Sequence, residues 1–156
     1  MTAFTVTTIE KNYNSNMKEA SKLIIYGDGG SRGNPGEAAY GFAVFDENEQ
    51  LLYSEGKRLG IDTNNVAEYS AVVNALRWVR DTMPHVEHIL FKLDSLLIAS
   101  QMSGKFKIKH PRMRELFITA KGLEKQLSAQ IIYSQIPRAQ NKTADKLVND
   151  ALDYII

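Results

Sequence analysis

Five short apolar stretches of this chain have the character of β-strands, and their order limits the folds that the chain can adopt. The first three, at residues 23–26, 38–46 and 50–59, are separated only by turn-forming stretches. The other two, at residues 88–93 and 130–136, each follow a helical pattern. Consecutive strands pair as hairpins, whereas strands joined through helices form right-handed crossovers. The order therefore predicts an α/β fold, a five-stranded mixed sheet with helices on both faces.

Helices are predicted where apolar residues recur at three- and four-residue steps, which is typical of an amphipathic helix. The clearest one covers residues 65–83 and ends before Pro84, which cannot continue a helix. A short helix is expected over residues 95–102, and Pro111 is suited to begin the next one. The last helix is expected over residues 143–154.

The length of the chain is that of a single domain. Its 156 residues, 44% of them hydrophobic, can form one core. Residues 1–22 are rich in Thr, Asn, Ser and Lys and show no sustained period, so we expect a tail or arm there and a domain over residues 23–156. The fold is expected to need nothing upstream of Met17.

The bulk composition excludes several classes of site. Cysteine is absent, which excludes disulfides, thiolate metal sites and Cys nucleophiles. No stretch is apolar enough to span a membrane, so we expect a cytoplasmic monomer without membrane contact. Because the net charge is only +1, binding of a polyanion would require a local basic patch.

Four acidic residues lie in segments where a ligand site is expected. Asp28 opens the glycine-rich stretch 28–36, whose glycines would allow close backbone approach to a ligand. Asp94 follows the fourth strand, and Glu68 and Asp145 are expected in the first turns of helices. Taken singly, each acid is explained more easily by a helix dipole or a polar strand end. Ligand sites in open α/β sheets favour this edge, however, so the four could meet there.

A cluster of four carboxylates would suit hard divalent cations such as Mg²⁺, which prefer oxygen ligands. Two ions about 4 Å apart would divide the work of cleaving a phosphodiester. One would generate a hydroxide nucleophile, and the other would stabilise the leaving 3′ oxygen during in-line attack on phosphorus. The residues alone thus favour a Mg²⁺-dependent phosphodiesterase.

Four segments of the chain, residues 28–36, 63–68, 94–95 and 136–145, resemble in this order the signature blocks of the type 1 ribonuclease H family. Members of that family hydrolyse the RNA strand of RNA/DNA hybrids with Mg²⁺ or Mn²⁺ and leave a 5′ phosphate and a 3′ hydroxyl. The resemblance implies a ribonuclease H-like fold and a two-metal-ion mechanism. It also implies that the metal ligands are the four acids, Asp28, Glu68, Asp94 and Asp145.

The same resemblance implies that three asparagines, Asn34, Asn64 and Asn65, contact the substrate. An amide suits this role because it both donates and accepts hydrogen bonds to a 2′ hydroxyl or a minor-groove edge. Turn formation or helix capping is the alternative use of these residues.

Three features differ from the best-known members, one of them Leu96 where some relatives have a Gln, and together they resemble a compact branch without the basic, Trp-bearing handle. Arg138 lies in the loop where those enzymes carry a His. Because Arg stays protonated, it would act electrostatically, by holding a phosphate or by weakening metal retention. The alternative is an exposed Arg with no role in the reaction. In place of the handle, residues 105–114 form a basic run. This run would bind nucleic acid, with Phe106 stacking on a sugar or base, or it would simply be exposed to solvent. Its candidate contact residues are Lys105, Phe106, Lys107 and Lys109.

The predicted function is therefore an endoribonuclease acting on RNA/DNA hybrids, with RNA/RNA or RNA–DNA junctions as further substrates to consider, since the compact branch shows broader tolerance. Two alternatives stay open. A catalytically silent nucleic-acid-binding domain of the same fold would usually have lost acids, and here all four are present. A DNA-cutting nuclease of the wider superfamily is disfavoured by the Asn64–Asn65 pair and the intact glycine stretch.

Overall fold

The computed structural model of the protein describes residues 20–156. Its elements in chain order are β1 (Lys22–Arg32), β2 (Gly36–Asp46), β3 (Leu51–Asp62), α1 (Asn64–Thr82), β4 (His88–Leu93), α2 (Leu96–Met102), α3 (Pro111–Lys125), β5 (Gln130–Gln135), a 3₁₀ turn (Arg138–Gln140) and α4 (Lys142–Leu152). Each predicted strand and helix is present in the predicted order. Most of the expected N-terminal tail, residues 1–19, lies outside the described residues.

The five strands form one mixed sheet in the order β3-β2-β1-β4-β5. The first three strands pair antiparallel, as the hairpin pattern predicts. Strands β4 and β5 run parallel to β1, because helices provide the crossovers to them. The predicted fold class is confirmed.

Helices cover both faces of the sheet, as predicted. On one face the main core joins strand residues such as Ile25 and Phe91 to Tyr69 and Leu76 of α1, and it extends to α3. The opposite face carries a smaller core beneath α4, composed of Ala39, Val148, Ala151 and Leu152. Within residues 20–156, no helix combines the length and the apolar character that crossing a bilayer requires.

Contacts with the domain extend upstream of the first predicted strand to the first described residues. The carbonyl oxygen of Ser21 accepts hydrogen bonds from the backbone N–H groups of Glu87 (3.0 Å) and His88 (3.1 Å). Ala20 is half-buried and packs against the main core. The described part of the chain is therefore integrated into the domain from its first residues.

Two glycines of the stretch 28–36 have a different role from the one expected. A Cβ on Gly29 would lie 2.2 Å from the carbonyl carbon of Ala67, and one on Gly36 would lie 2.1 Å from the oxygen of Arg32. At these positions the close backbone approach is to the protein itself and not to a ligand. Gly29 lets α1 approach β1, which brings Glu68 towards Asp28.

Two of the acids occupy positions that differ from the prediction. Asp28 is not at the end of its strand, since β1 continues to Arg32 in a hairpin with β2. The parallel pairing of β1 with β4 does end one residue earlier, at Gly27. Helix α1 begins at Asn64 because the Thr63 hydroxyl caps it by accepting from the Val66 N–H (3.2 Å), so Glu68 lies beyond the first turn.

We expect Gly29→Ala to lower the free energy of unfolding by about 2 kcal/mol or more, because the added methyl group overpacks the contact with α1. Gly122→Ala is the matched control. Gly122 lies in α3 with no atom within 4 Å of an added Cβ, so this change should stabilise the protein by up to about 1 kcal/mol. Urea unfolding of both variants checks the pair, and equal stabilities would contradict the proposed packing role.

Candidate active site

A cleft of about 460 Å³ opens where the parallel pairing of β1 with β4 ends. It brings together residues that are far apart in sequence. The predicted site residues that line it are Asp28, Asn64, Glu68, Asp94, Arg138 and Asp145. Four further polar residues also line the cleft and were not singled out as site residues from the sequence, namely Ser31, Arg32, Ser95 and Asn149.

Three of the four acids form a compact cluster. One carboxylate oxygen each of Asp28, Glu68 and Asp94 lies within 4.8 Å of the others. Asp145 lines the same cleft from the first turn of α4, where it was predicted, but it is outside this cluster. Its side chain is 38% exposed, and its Oδ1 lies 3.9 Å from Nη2 of Arg138.

Ser95 and Asn141 position the acids and their strand through hydrogen bonds. Ser95 caps α2 by accepting from the N–H of Ile98 (3.2 Å), and its hydroxyl also hydrogen-bonds Glu68. The fully buried Asn141 donates through Nδ2 to the carbonyl of Gly27 (2.9 Å), which ties the start of α4 to β1 next to Asp28. Asn141 carries one signal in the sequence, its position just before a helix, and that signal indicates a cap.

Burial and mutual repulsion raise the pKa values of the clustered acids. Burial is the largest cause for Asp28, and the charges of Asp94 and Glu68 add to it, so its pKa rises to about 8. The pKa of Glu68 rises to about 7, mainly through burial, although Ser95 and Arg138 oppose this. The pKa of Asp94 is also raised by burial, against the opposing effect of Arg138.

The cluster fits a hard divalent cation. Its donors are all carboxylate oxygens, which Mg²⁺ and Mn²⁺ accept as ligands. Oε2 of Glu68 is buried and has no hydrogen-bond partner among the described residues, and such an atom is costly unless a cation or proton satisfies it. A cation would also remove the repulsion that raises the pKa of Asp28.

Two of the three asparagines, Asn34 and Asn64, serve the structure through their side-chain oxygens. Oδ1 of Asn34 accepts from the backbone N–H of Asn64 (3.0 Å), at the start of α1. Oδ1 of Asn64 accepts from the N–H (2.8 Å) and the hydroxyl (3.1 Å) of Ser31. With these oxygens engaged, the Nδ2 groups of Asn34 and Asn64 are the donors left to consider for a substrate. Asn65 is half-buried at the second position of α1.

The basic run lies outside the acidic cleft. Its candidate contact residues, Lys105, Phe106, Lys107 and Lys109, are exposed and form no part of the cleft lining. Phe106, 59% exposed, and Lys107 line a second depression between α2 and α3. If these residues contact nucleic acid, they do so away from the clustered acids.

A five-stranded sheet of this order with clustered carboxylates beside its central strand is the architecture of the ribonuclease H-like nucleases. A sequence-family profile described as "Reverse transcriptase-like" matches residues 27–151. The bifunctional protein Rv2228c of Mycobacterium tuberculosis is 41% identical over 85% of this chain, which corresponds to 36% of the relative's length. The chain thus spans about a third of that relative.

Ribonuclease HI of Halobacterium salinarum is 36% identical over 85% of this chain and 65% of its own length. The crystal structure of LC11-RNase H1, an enzyme isolated from compost, was determined in complex with an RNA/DNA hybrid. It superposes with a TM-score of 0.82 at 36% identity, covering 85% of this chain and 98% of that one. This chain belongs to the type 1 ribonuclease H family.

We expect Asp28→Asn to raise the melting temperature of the metal-free protein at pH 8.5 by about 3 °C or more. Because the folded-state pKa of Asp28 is raised from 3.8 to about 8, the fold favours the protonated carboxyl. This stabilisation is complete below pH 3.8 and is lost as the pH rises to about 8, so the benefit of the neutral amide should vanish near pH 4.

Thermal unfolding in a chelator across this pH range measures the effect. Asp81→Asn is the control, since Asp81 is an exposed carboxylate outside the cleft whose pKa is lowered, mainly by its hydrogen bond with Arg80. It should give no gain at pH 8.5. A melting temperature of Asp28→Asn at or below that of the unsubstituted protein would contradict a crowded acidic cluster.

Proposed function

We propose that this chain is a metal-dependent endoribonuclease that hydrolyses the RNA strand of RNA/DNA hybrids and leaves a 5′ phosphate and a 3′ hydroxyl. The observation that carries the proposal is the cluster of Asp28, Glu68 and Asp94, with its unsatisfied Oε2 of Glu68. Its relatives include a ribonuclease HI and an RNase H1 seen with a hybrid, which support the substrate class.

We infer Mg²⁺ as the cation, with Mn²⁺ as a substitute, and two ions per site when substrate is present. Asp28, Glu68 and Asp94 would hold the ions directly, and Asp145 would contribute from the rim of the cleft. When bound, the ions supply activation of the attacking water and stabilisation of the leaving 3′ oxygen.

The side chains of the cleft orient the reacting groups. Ser95 fixes the Glu68 carboxylate by a hydrogen bond, and Asn141 fixes the strand that carries Asp28. Nδ2 of Asn64 is a donor suited to a 2′ hydroxyl, which only an RNA strand offers. In this arrangement the RNA strand lies across the acids and its sugars face the start of α1.

Arg138 is the cationic group of the cleft rim. Its side chain is 84% exposed, and its distance of 3.9 Å from Asp145 is that of a loose ion pair. The guanidinium is therefore available to a substrate phosphate, and its charge opposes that of a cation held by the acids. We propose that Arg138 holds the scissile strand and weakens retention of metal after cleavage.

The segment 105–109, called here the basic segment, supplies the grip on the second strand. Its three lysines are exposed, and exposed Phe106 can stack against a sugar or base. Cleavage of RNA/RNA or of RNA–DNA junctions, a cytoplasmic location and a monomeric state stay predictions.

The two alternative functions differ in what they require of the cleft. A silent binding domain does not require clustered carboxylates. In this protein, burial and the neighbouring carboxylates raise the pKa of Asp28 to about 8, which costs stability. Such an arrangement is typical of a site that performs chemistry. A DNA-cutting nuclease would have no use for donors aimed at a 2′ hydroxyl, so the substrate panel described next distinguishes it.

We expect the protein with Mg²⁺ to cleave one end-labelled sequence when it is presented as RNA/DNA and not as DNA/DNA or single-stranded RNA. Asp94→Asn should lower kcat by a factor on the order of 10³, because a ligand of the cation is lost, while hybrid binding in Ca²⁺ persists. Turnover of Asp94→Asn near that of the unsubstituted protein would refute the metal assignment. Preferred cleavage of DNA/DNA would favour the other nuclease class.

Arg138→Ala should raise KM for the hybrid several-fold and lower the Mg²⁺ concentration that gives half-maximal activity. Both effects follow from removing a cation that attracts phosphate and repels metal. A titration of activity against Mg²⁺ at two substrate concentrations measures them. Unchanged KM together with unchanged metal dependence would show that Arg138 is idle.

A further inference from the structure

Arg112, within the basic run but outside the basic segment, has a partner of its own. Its Nη1 and Nη2 donate to Oδ1 (2.9 Å) and Oδ2 (2.5 Å) of Asp62, so the two side chains form a two-bonded ion pair. Asp62 is 6% exposed, whereas the Arg112 side chain is 57% exposed. Paired bonds of this kind fix the orientation of both groups as well as their distance.

Asp62 lies next to the asparagines that the proposed function places against the RNA strand. It is the last residue of β3, and its Oδ1 also accepts from the N–H of Thr63 (2.9 Å), the residue that caps α1. Asn64 and Asn65 follow at once. Because a residue spans at most about 3.6 Å, the backbone of Asn64 is within about 7 Å of that of Asp62.

Arg112 lies close to the basic segment. It is the second residue of α3, which His110 caps by accepting from the Met113 N–H (3.5 Å). Lys109 precedes Arg112 by three residues, which places their backbones within about 11 Å. The basic segment itself is part of neither a helix nor a strand, so its position depends on its two ends and on Ile108, which packs against the main core.

The opposite end of the segment is attached elsewhere. The N–H of Lys105 donates to the carbonyl of Ser100 (2.9 Å), and Nζ of Lys121 holds the carbonyl of Met102 (2.7 Å). The first bond ties the segment to α2, and the second ties the end of α2 to α3. Of the side-chain ion pairs within residues 20–156, that of Arg112 and Asp62 is the one that connects this region to the start of α1.

We propose that Arg112 is a positioning residue, which through its ion pair with Asp62 holds the basic segment at a fixed separation from Asn64 and Asn65. This rests on the proposed function, in which the asparagines contact the RNA strand and the basic segment grips the other one. A fixed separation lets a duplex of matching strand spacing engage both sets of contacts at once. Arg112 thereby contributes to substrate affinity without donating its own charge to the nucleic acid.

Asp62→Asn separates this role from simple electrostatics. The change removes a negative charge near a polyanion, so electrostatics alone would lower KM for the hybrid. Loss of the two-bonded pair predicts the opposite, a rise in KM. The amide oxygen of Asn can still accept from Thr63, so the cap of α1 is retained.

The experiment measures kcat and KM on one RNA/DNA hybrid for the full chain and its variants in Mg²⁺. We expect KM to rise about tenfold in Arg112→Ala and several-fold in Asp62→Asn, with kcat within about twofold. The KM of Arg112→Lys, which keeps the charge and one bond, should lie between the KM values of these two variants and that of the unsubstituted protein. The triple change of Lys105, Lys107 and Lys109 to Ala gives the KM expected when the grip is lost entirely.

Arg114→Ala is the matched control. Arg114 is an exposed arginine two residues further along α3 and forms no ion pair with the described residues, so its removal costs the same charge but not the link. Its KM should rise by less than about twofold. Hydrogen exchange over residues 103–110 should accelerate in Asp62→Asn and not in Arg114→Ala.

Two results would overturn the proposal. An equal rise of KM in Arg112→Ala and Arg114→Ala would show that Arg112 acts by charge alone, and an unchanged or lower KM in Asp62→Asn would show that the pair positions nothing. Circular dichroism and melting curves establish that each variant is folded. If Arg112→Ala is unfolded, Arg112→Lys replaces it in the comparison. If the unsubstituted protein cleaves no hybrid, the proposed function fails, and the same variants are then compared by hybrid binding in Ca²⁺, which still tests the link.

Discussion

The backbone contact between Gly29 and Ala67 is the constraint on which the rest of the molecule depends. With no side chain at residue 29, α1 lies against β1 closely enough to bury Tyr69 and Leu76 in the main core. The same approach carries Glu68 to the flank of Asp28. The packing that stabilises the fold therefore also forces two carboxylates together, and the hydrophobic contacts of the core must offset their repulsion.

This conflict explains the electrostatics of the cleft. Burial raises the pKa values of Asp28, Glu68 and Asp94, and the neighbouring polar groups Ser95, Asn141 and Arg138 relieve only part of the effect. A site in this condition is most stable when it holds protons or a cation. The cluster gains affinity for metal from the same burial that destabilises it without metal, because a preorganised set of oxygens need not be assembled when the ion arrives.

Much of the fold follows from local sequence patterns. Strand and helix patterns predict every strand and α-helix in order, Ser95 is a cap because of its position, and Asp145 lies in a first turn as expected. What the sequence did not indicate depends on contacts between distant segments. The fit of Gly29 against Ala67 and the pairing of Asp62 with Arg112, 50 residues apart, leave no periodic signal. The oxygens of Asn34 and Asn64 are engaged with nearby backbone, which residue type alone could not distinguish from ligand contact.

The four acids are carried by elements that pack on two cores of unequal size. Asp28, Glu68 and Asp94 are attached to elements of the main core, whereas Asp145 belongs to α4, which covers a small core of four side chains on the other face. A helix with so little apolar support unfolds locally at a lower cost than the sheet beneath it. The site thus consists of three acids on the main core and a fourth on a helix with a small core of its own. The backbone amide hydrogens of α4 should therefore exchange with solvent separately from those of the elements that carry the other acids. Movement of α4 as the cleaved strand departs need not disturb Asp28, Glu68 and Asp94.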